Sequence, residues 1–159
     1  MQMPEPDQSV IDRRETICRD LRNLLADHCV VDSVEGRRAY DADGLSAYRQ
    51  LPLAVVLPET VEEIAAVMKY CHREGIKVVP RGSGTSLSGG ALPLADAILV
   101  GLGKFNRILD IDYANRCVVS QPGVTNLAIT HAVQADGFYY ACLLYTSPSP
   151  RDGLLSRMP

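Results

Sequence analysis

The residues best suited by type and spacing to bind a ligand form one glycine-rich stretch, residues 78–93. It holds four glycines and four hydroxyl side chains, and it begins with a pair of valines. Glycine permits backbone conformations with φ > 0, in which several successive N–H groups turn toward one centre. Such a concave set of donors suits a phosphate group. The alternative is a flexible glycine and serine loop without a ligand, since the same residues also make ordinary turns.

Side chains within this stretch would add to such a site. Arg81 would supply a permanent positive charge, and Ser83, Thr85 and Ser86 would supply hydroxyl donors that remain usable beside an anion. We therefore predict an anion-binding loop whose donors are mainly backbone amides.

Two common phosphate-binding motifs do not match. A P-loop needs a lysine near its end, but Gly89 and Gly90 are followed by Ala91. A Rossmann fingerprint needs a glycine at the position that Leu87 occupies. Hydrolysis of a nucleoside triphosphate is therefore not expected, and dinucleotide binding of the Rossmann type is weakly supported.

The stretch resembles instead the pyrophosphate loop of FAD-linked oxidases with a p-cresol methylhydroxylase-type FAD-binding domain. Within that superfamily the chain is most similar to the FAD-linked subunits of glycolate oxidases and to the related D-lactate dehydrogenases. Four ordered segments carry the resemblance, which covers roughly residues 10–141: VPRGSGTSLSGG (79–90), YDADGLSAYR (40–49), AVVLPET (54–60) and QPGVTN (121–126).

The resemblance implies an α+β fold, the N-terminal part of a p-cresol methylhydroxylase-type FAD-binding domain, with a βαβ unit and an amphipathic N-terminal helix. It also implies FAD as the cofactor, held by a set of residues around the pyrophosphate and flavin: Arg81, Gly82, Ser83, Gly84, Thr85, Ser86, Gly89, Gly90 and Gly123. Attachment is expected to be noncovalent, because no His or Cys lies between Pro80 and Pro93.

The same resemblance implies an oxidoreductase that acts on the CH–OH group of a small 2-hydroxy acid, such as glycolate or D-lactate. Iron–sulfur and second FAD-binding subunits are then possible partners. No catalytic residue is assigned, because the family supplies its substrate-side groups from segments beyond those matched here. A nucleotide-binding or regulatory module without redox activity is the alternative function.

Hydrophobic periodicity predicts the elements that position the loop. Helical spacing of apolar residues predicts a helix over residues 9–28 and another over 124–136. Strands are expected at residues 53–57, 76–79 and 97–102. Between the first two, Thr60 and Glu63 form a capping box and Gly75 a stop, which predicts a βαβ unit with parallel strands. The glycine-rich stretch would then leave the carboxyl end of a strand, where α/β sheets commonly bind ligands.

The remaining segments give weaker signals. Residues 29–31 favour a short strand and 35–36 a turn, and residues 40–52 favour an ordered loop in which Asp41 and Asp43 are solvated. Residues 104–112 and 116–121 indicate strands. The aromatic residues 138–140 favour the start of a further strand that contributes to the core.

Composition excludes several classes of protein. With 47% hydrophobic and 22% charged residues, the chain of 159 residues has an ordinary globular composition. The net charge of −3 gives no sign of binding to nucleic acid or to an anionic membrane surface. The five scattered cysteines and three histidines show no metal-binding spacing, so no metal site and mostly buried, reduced thiols are expected. No signal peptide or transmembrane segment is recognisable, and a cytoplasmic location is the default expectation.

Three regions are expected along the chain. Residues 1–52 would form the N-terminal helix and ordered loop, residues 53–141 a partial FAD-binding domain, and residues 142–159 a tail. The tail has three prolines and no helical or strand period. It resembles translated sequencing-adapter read-through joined to a truncated gene fragment, and a genuine disordered terminus is the alternative. A truncated chain of this kind would be inactive alone.

Overall fold

The computed structural model of the protein describes residues 3–141. The expectation for residues 142–159 therefore lies outside the described residues. The chain divides into two compact units, the first ending at Asn106 and the second beginning at Arg107. Among the described residues, no helix is both long and apolar enough to cross a membrane.

The first unit contains four helices and a four-stranded sheet. Its helices are α1 (Gln8–Asp12), α2 (Arg14–Leu24), α3 (Val34–Arg38) and α4 (Val61–Glu74), with a 3-10 turn at Asp27–Cys29. Its strands are β1 (Val30–Val31), β2 (Ala54–Val56), β3 (Lys77–Arg81) and β4 (Ala97–Gly101).

The sheet has the order β1-β2-β4-β3. Strands β2 and β3 both run parallel to β4, whereas β1 pairs with β2 in the antiparallel direction. The predicted βαβ unit is thus present with parallel strands. Its two strands are not neighbours, however, because β4 lies between them. A crossover helix sets the direction of the second strand but leaves room for another strand to insert.

The two central strands are buried on both faces, as is usual for parallel strands covered by helices. All residues of β2 and β4 are buried, and Val55, Ile98 and Leu99 have no exposed surface. Each such side chain stabilises the fold by roughly 1.5–3 kcal/mol through its removal from water. This rigid centre supports the loops at its carboxyl end.

Helix α4 begins and ends as predicted. Thr60 and Glu63 form the capping box, and Gly75 closes the helix in a left-handed conformation with φ of 68°. Helical spacing in the sequence predicts an apolar face made of Val61, Ile64, Ala65, Met68 and Cys71, and this prediction was partly wrong. Val61 and Met68 are 65% and 46% exposed, and the buried residues are Val67, Tyr70 and Cys71. The inward face is set by the neighbouring helix, since the Tyr70 hydroxyl donates to Asp20 of α2 at 3.0 Å.

The N-terminal helix is divided in two, so the prediction of one continuous helix was wrong. At Arg13 the backbone leaves helical geometry, with ψ of 5°, and its N–H donates to the carbonyl of Val10 at 3.2 Å. The predicted apolar pattern survives the break, and its buried members are Val10, Ile17, Leu21 and Leu25. The turn expected at residues 35–36 was also wrong, because Ser33 caps α3 there by accepting from the N–H of Gly36.

The second unit contains a β-hairpin and a helix. Strands β5 (Ile108–Asp112) and β6 (Cys117–Ser120) pair in the antiparallel direction, and helix α5 (Asn126–Val133) continues into a 3-10 turn at Gln134–Asp136. In the hairpin turn the carboxylate of Asp112 accepts from the side chain and the N–H of Asn115 at 2.6 and 2.9 Å, and these bonds lower the pKa of Asp112.

Residues 138–140 do not continue into a strand within the described part of the chain, so that expectation was wrong. The N–H groups of Phe138 and Tyr140 donate back toward helix α5, to Val133 and Thr130. The three aromatic side chains are 39%, 74% and 39% exposed and do not form a buried core.

Candidate functional site

The glycine-rich loop, residues 82–90, leaves the carboxyl end of β3 as predicted. Two of its residues have backbone conformations that glycine adopts without strain, since φ is 73° at Gly84 and 76° at Gly89. The N–H groups of Gly82, Ser83, Gly84 and Thr85 donate no hydrogen bond to any described part of the chain. The loop therefore presents consecutive, available amide donors at the end of a buried sheet.

The hydroxyl groups of the loop are arranged in two ways. Ser83 and Thr85 lie on the exposed side with their hydroxyl oxygens 3.2 Å apart. Ser86 instead folds inward, where its oxygen accepts from the N–H groups of Ser88 and Gly90 at 3.4 and 3.3 Å. The Ser86 hydroxyl hydrogen remains available to a ligand, whereas the Gly90 N–H is already used.

Arg81 lies behind the loop. Its Nη1 donates to the carbonyl of Ala42 at 2.7 Å and to that of Tyr40 at 3.3 Å, and its guanidinium sits 5.6 Å from the centre of the Tyr40 ring. A Cβ placed on Gly84 would come 2.5 Å from Arg81 Cζ. The guanidinium thus packs against Gly84 and brings a positive charge next to the backbone of the loop.

Residues 40–45 form the support on which the loop rests, and sequence reasoning missed this role. Leu45 donates its N–H to the carbonyl of Ser86 at 3.1 Å. Gly44 is needed for the close approach, because a Cβ there would lie 2.7 Å from the carbonyl oxygen of Thr85. The signal in the sequence was the match of residues 40–49 to the flavoprotein family, which gave no indication of contact with the glycine-rich loop.

Asp43 contradicts the prediction of a solvated turn. It is only 8% exposed, and its two carboxylate oxygens accept from the N–H groups of Leu45 at 2.9 Å and Ala91 at 3.4 Å. Asp43 therefore joins the supporting segment to the far end of the glycine-rich loop. A buried carboxylate with main-chain donors is a structural anchor here, and Asp41 pairs instead with the exposed Arg49.

The predicted site residues are brought together to different degrees. Seven of them, from Gly82 to Gly90, share the glycine-rich loop, and Arg81 is the last residue of β3. Gly123 belongs to the second unit, where it lies in the turn between β6 and α5. The fit of the loop to a diphosphate rests on its free amides, its two positive-φ glycines and the cation behind it.

The second unit carries a separate concavity. A pocket of about 560 Å³ lies beside the hairpin and helix α5, and its lining is largely apolar and aromatic. Tyr113 and Phe138 pack within it at a ring separation of 5.6 Å, and the hydroxyl of Tyr113 donates to Asp136 at 2.6 Å. That hydrogen bond raises the pKa of Tyr113. The aromatic groups predicted as core thus form a pocket wall.

Comparison with known families identifies the class of protein that this loop and sheet define. The model of an FAD-binding domain family matches residues 52–149. The chain belongs to this family of FAD-binding domains, and FAD is its cofactor, as the sequence predicted.

Individual relatives of known activity include glycolate oxidase subunits and a D-2-hydroxyglutarate dehydrogenase. The chain is 52% identical over 102 residues to the glycolate oxidase subunit GlcD of Escherichia coli, a match covering 64% of this chain and 20% of that protein. It is 37% identical over 109 residues to GlcD of Bacillus subtilis, covering 69% and 23%. Identity to a D-2-hydroxyglutarate dehydrogenase of Stutzerimonas stutzeri is 26% over 121 residues, covering 76% and 26%. The chain thus spans a fifth to a quarter of these relatives.

Solved structures confirm the fold. The chain matches p-cresol methylhydroxylase with a TM-score of 0.69 at 24% identity, covering 85% of this chain and 27% of that one. It matches the 4-ethylphenol oxidase of Gulosibacter chungangensis with a TM-score of 0.70 at 22% identity, covering 86% and 27%. The predicted p-cresol methylhydroxylase-type FAD-binding fold is therefore confirmed as part of such a domain.

Proposed function

We propose that the chain supplies the pyrophosphate-binding half of the FAD site in an FAD-linked 2-hydroxy-acid oxidoreductase of the glycolate oxidase type. The observation that carries the proposal is a loop of free amides at the end of β3, in a chain 52% identical over 102 residues to a glycolate oxidase subunit. FAD bound there would supply the two-electron oxidation, and the residues of this chain would hold it in place.

In this proposal the amides of Gly82, Ser83, Gly84 and Thr85 bind the pyrophosphate, with the hydroxyls of Ser83, Thr85 and Ser86 as further donors. Gly89 and Gly90 allow close approach of the chain to the ligand. Arg81 lowers the cost of placing negative charge at the loop without being displaced from its carbonyl partners. Gly123 is proposed to give backbone access to the flavin portion, and the attachment is noncovalent.

The substrate side is proposed from the relatives. The names of the matched proteins describe oxidation of glycolate and of D-2-hydroxyglutarate. A small 2-hydroxy acid, including glycolate or D-lactate, is the class of substrate we propose for the complete protein. Iron–sulfur and second FAD-binding subunits stay predicted partners, and a cytoplasmic location stays a prediction. No residue of this chain is proposed to act on the substrate.

The test compares this chain with the complete gene product from the same source. FAD binding is followed by quenching of flavin fluorescence, and oxidation of glycolate and D-lactate by a dye-coupled assay. We expect the complete protein to bind FAD tightly and to turn over. The 159-residue chain should bind FAD weakly and show no turnover, since a partial cradle must offset the full cost of immobilising the ligand.

Three results would count against the proposal. A complete protein that binds FAD but oxidises no 2-hydroxy acid would contradict the proposed substrate class and support only the cofactor site. A complete protein that binds no FAD would support the alternative of a module without redox activity. Tight binding and turnover by the short chain would contradict the idea that it holds half of the site.

A further inference from the structure

Two adjacent residues meet a third that is distant in sequence, at the edge of the sheet opposite the glycine-rich loop. Val30 of β1 pairs with Val56 of β2 in the antiparallel direction, so the residues before β1 lie beside those after β2. This register brings His28 and Cys29 next to Glu59. In the strand order β1-β2-β4-β3 the group lies at β1 and β2, whereas the glycine-rich loop follows β3.

The three donor atoms have the spacing of metal ligands. His28 Nε2 lies 3.1 Å from Glu59 Oε1, Cys29 Sγ lies 4.0 Å from the same oxygen, and all three atoms are within 4.8 Å of one another. In a tetrahedral zinc site, with a Zn–S distance of about 2.3 Å and Zn–N or Zn–O distances of about 2.0 Å, ligand atoms are about 3.3–3.6 Å apart. The nitrogen–oxygen and sulfur–oxygen separations of 3.1 and 4.0 Å lie within about 0.5 Å of these values.

A cationic side chain already contacts both the Glu59 carboxylate and the Cys29 sulfur. Lys104, in the turn after β4, places its Nζ 2.5 Å from Glu59 Oε1 and 3.6 Å from Cys29 Sγ. The Lys104 side chain is 36% exposed and flexible, so its ammonium group has a path into solvent.

The backbones of two of these residues are fixed. The carbonyl of Cys29 accepts from the N–H of Leu57 at 2.8 Å, which holds the start of β1 against the end of β2. The N–H of Glu59 donates to the Glu63 carboxylate at 2.6 Å as part of the helix α4 terminus. Cys29 itself is fully buried, whereas the side chains of His28 and Glu59 are 65% and 49% exposed. The site is thus built on ordered elements and open on one side.

We propose that His28, Cys29 and Glu59 form a zinc-binding site in which the ammonium group of Lys104 substitutes for the metal ion when zinc is absent. A nitrogen, a sulfur and an oxygen ligand form a donor set that suits this borderline ion, and water completes the tetrahedron on the open side. On binding, the Cys29 thiol loses its proton to solvent and Lys104 turns outward. The sequence predicted no metal site because no short motif contains these ligands.

The experiment titrates the 159-residue chain with Zn²⁺ in competition with a chromogenic chelator, and with Co²⁺ to detect a thiolate-to-cobalt charge-transfer band. One ion should bind per chain with that band present. His28→Ala and Glu59→Gln should each weaken binding by at least about tenfold, since even the loss of a residue that only supports a metal ligand costs about 10–100-fold. Cys29→Ser should remove the charge-transfer band, and Lys104→Met should increase the affinity because the competing cation is gone.

Matched controls separate this site from other thiols and imidazoles. Cys117→Ser and His131→Ala, both outside the cluster, should leave affinity and spectrum unchanged. Cys29 is buried, so Cys29→Ser also tests the packing of the core. The decisive variants are therefore those at the exposed His28 and Glu59, whose folding is checked by circular dichroism. Absence of zinc binding by the unaltered chain would overturn the proposal. So would binding that is indifferent to His28→Ala and Glu59→Gln, or that is lost in Cys117→Ser.

Discussion

The guanidinium of Arg81 lies directly behind Gly84, so close that a Cβ on Gly84 would come 2.5 Å from the Arg81 Cζ and Nε atoms. Arg81 is held there by the carbonyls of Tyr40 and Ala42. The positive charge beneath the loop and the absence of a side chain at Gly84 are therefore parts of one arrangement. Substitutions at Arg81 and at Gly84 can test these two parts separately.

Replacing Gly84 tests the loop. We expect Gly84→Ala in the complete protein to weaken FAD binding at least about tenfold, because the new Cβ meets the guanidinium and a φ of 73° strains any L-residue. Fluorescence titration measures the affinity, and circular dichroism should show unchanged helix content. Gly103→Ala, where a Cβ meets no atom within 4 Å, is the matched control and should bind FAD normally. Equal affinity of the two variants would remove the loop from the FAD site.

Replacing Arg81 tests the support. Arg81→Lys keeps the charge but loses the planar guanidinium, which lies 5.6 Å from the centre of the Tyr40 ring and donates from Nη1 to the carbonyls of Tyr40 and Ala42. It should therefore lower the free energy of unfolding by about 1–3 kcal/mol. FAD affinity should decrease with it, because residues 40–45 would no longer hold the loop. Urea unfolding and flavin titration measure the two effects. Arg49→Lys, four residues beyond that segment and with its side chain 70% exposed, should change stability by less than about 1 kcal/mol. An Arg81→Lys protein as stable as Arg49→Lys would show that the carbonyl contacts are dispensable.

Stability should depend on Asp96 at acid pH. Burial alone would raise the pKa of this carboxyl, but hydrogen bonds from Lys77 at 2.6 Å and from the Asp7 N–H at 2.8 Å lower it below its ordinary value of 3.8. The folded state therefore favours the charged form, which stabilises the protein above pH 3.8 and is lost as the pH falls through the lowered value. Asp96→Asn should reduce stability at neutral pH by about 1–3 kcal/mol and flatten this acid dependence.

The control for Asp96 is Asp110→Asn, at an exposed position of β5. It should leave both the neutral stability and the acid profile close to those of the unaltered protein. If Asp96→Asn and Asp110→Asn gave the same unfolding curves from acid to neutral pH, the Lys77–Asp96 pair would not stabilise the fold.

The flavin should be held noncovalently. The glycine-rich loop contains neither His nor Cys, so none of its side chains can form the bond that such residues make with a flavin ring. Acid precipitation of the flavin-loaded complete protein should leave all yellow colour in the supernatant, as shown by its absorbance. Flavin that remained in the washed pellet would require a covalent link elsewhere in the protein.

Much of the local structure could be predicted because its causes are local. The capping box at Thr60 and Glu63 and the left-handed Gly75 depend on residues within one turn of each other, and helix α4 begins and ends where they predict. The apolar runs of β2 and β4 likewise indicated buried strands. Three of the four described cysteines are buried, as expected, and burial raises the pKa of the Cys71 thiol to about 11.

What failed depended on contacts between distant residues. The predicted apolar face of α4 was partly wrong because α2 covers a different face of that helix. The strand predicted to begin at residues 138–140 was wrong because a strand needs a pairing partner, and local sequence does not specify one. The burial of Asp43 follows from its bond to Ala91, 48 positions away. A periodic pattern shows that a face is apolar but not which neighbour will cover it.

Residue order alone was enough to predict that a glycine-rich loop follows a strand, comes after an arginine and belongs to an FAD-linked family, because glycine spacing and family motifs are properties of short stretches of sequence. Three features could be learned only from the folded chain: Arg81 donates to the carbonyls of Tyr40 and Ala42, β4 separates β2 from β3, and His28, Cys29 and Glu59 meet. Those outcomes depend on strand order and register. Strand order and register arise from the packing of the whole sheet, and no short stretch of sequence encodes them.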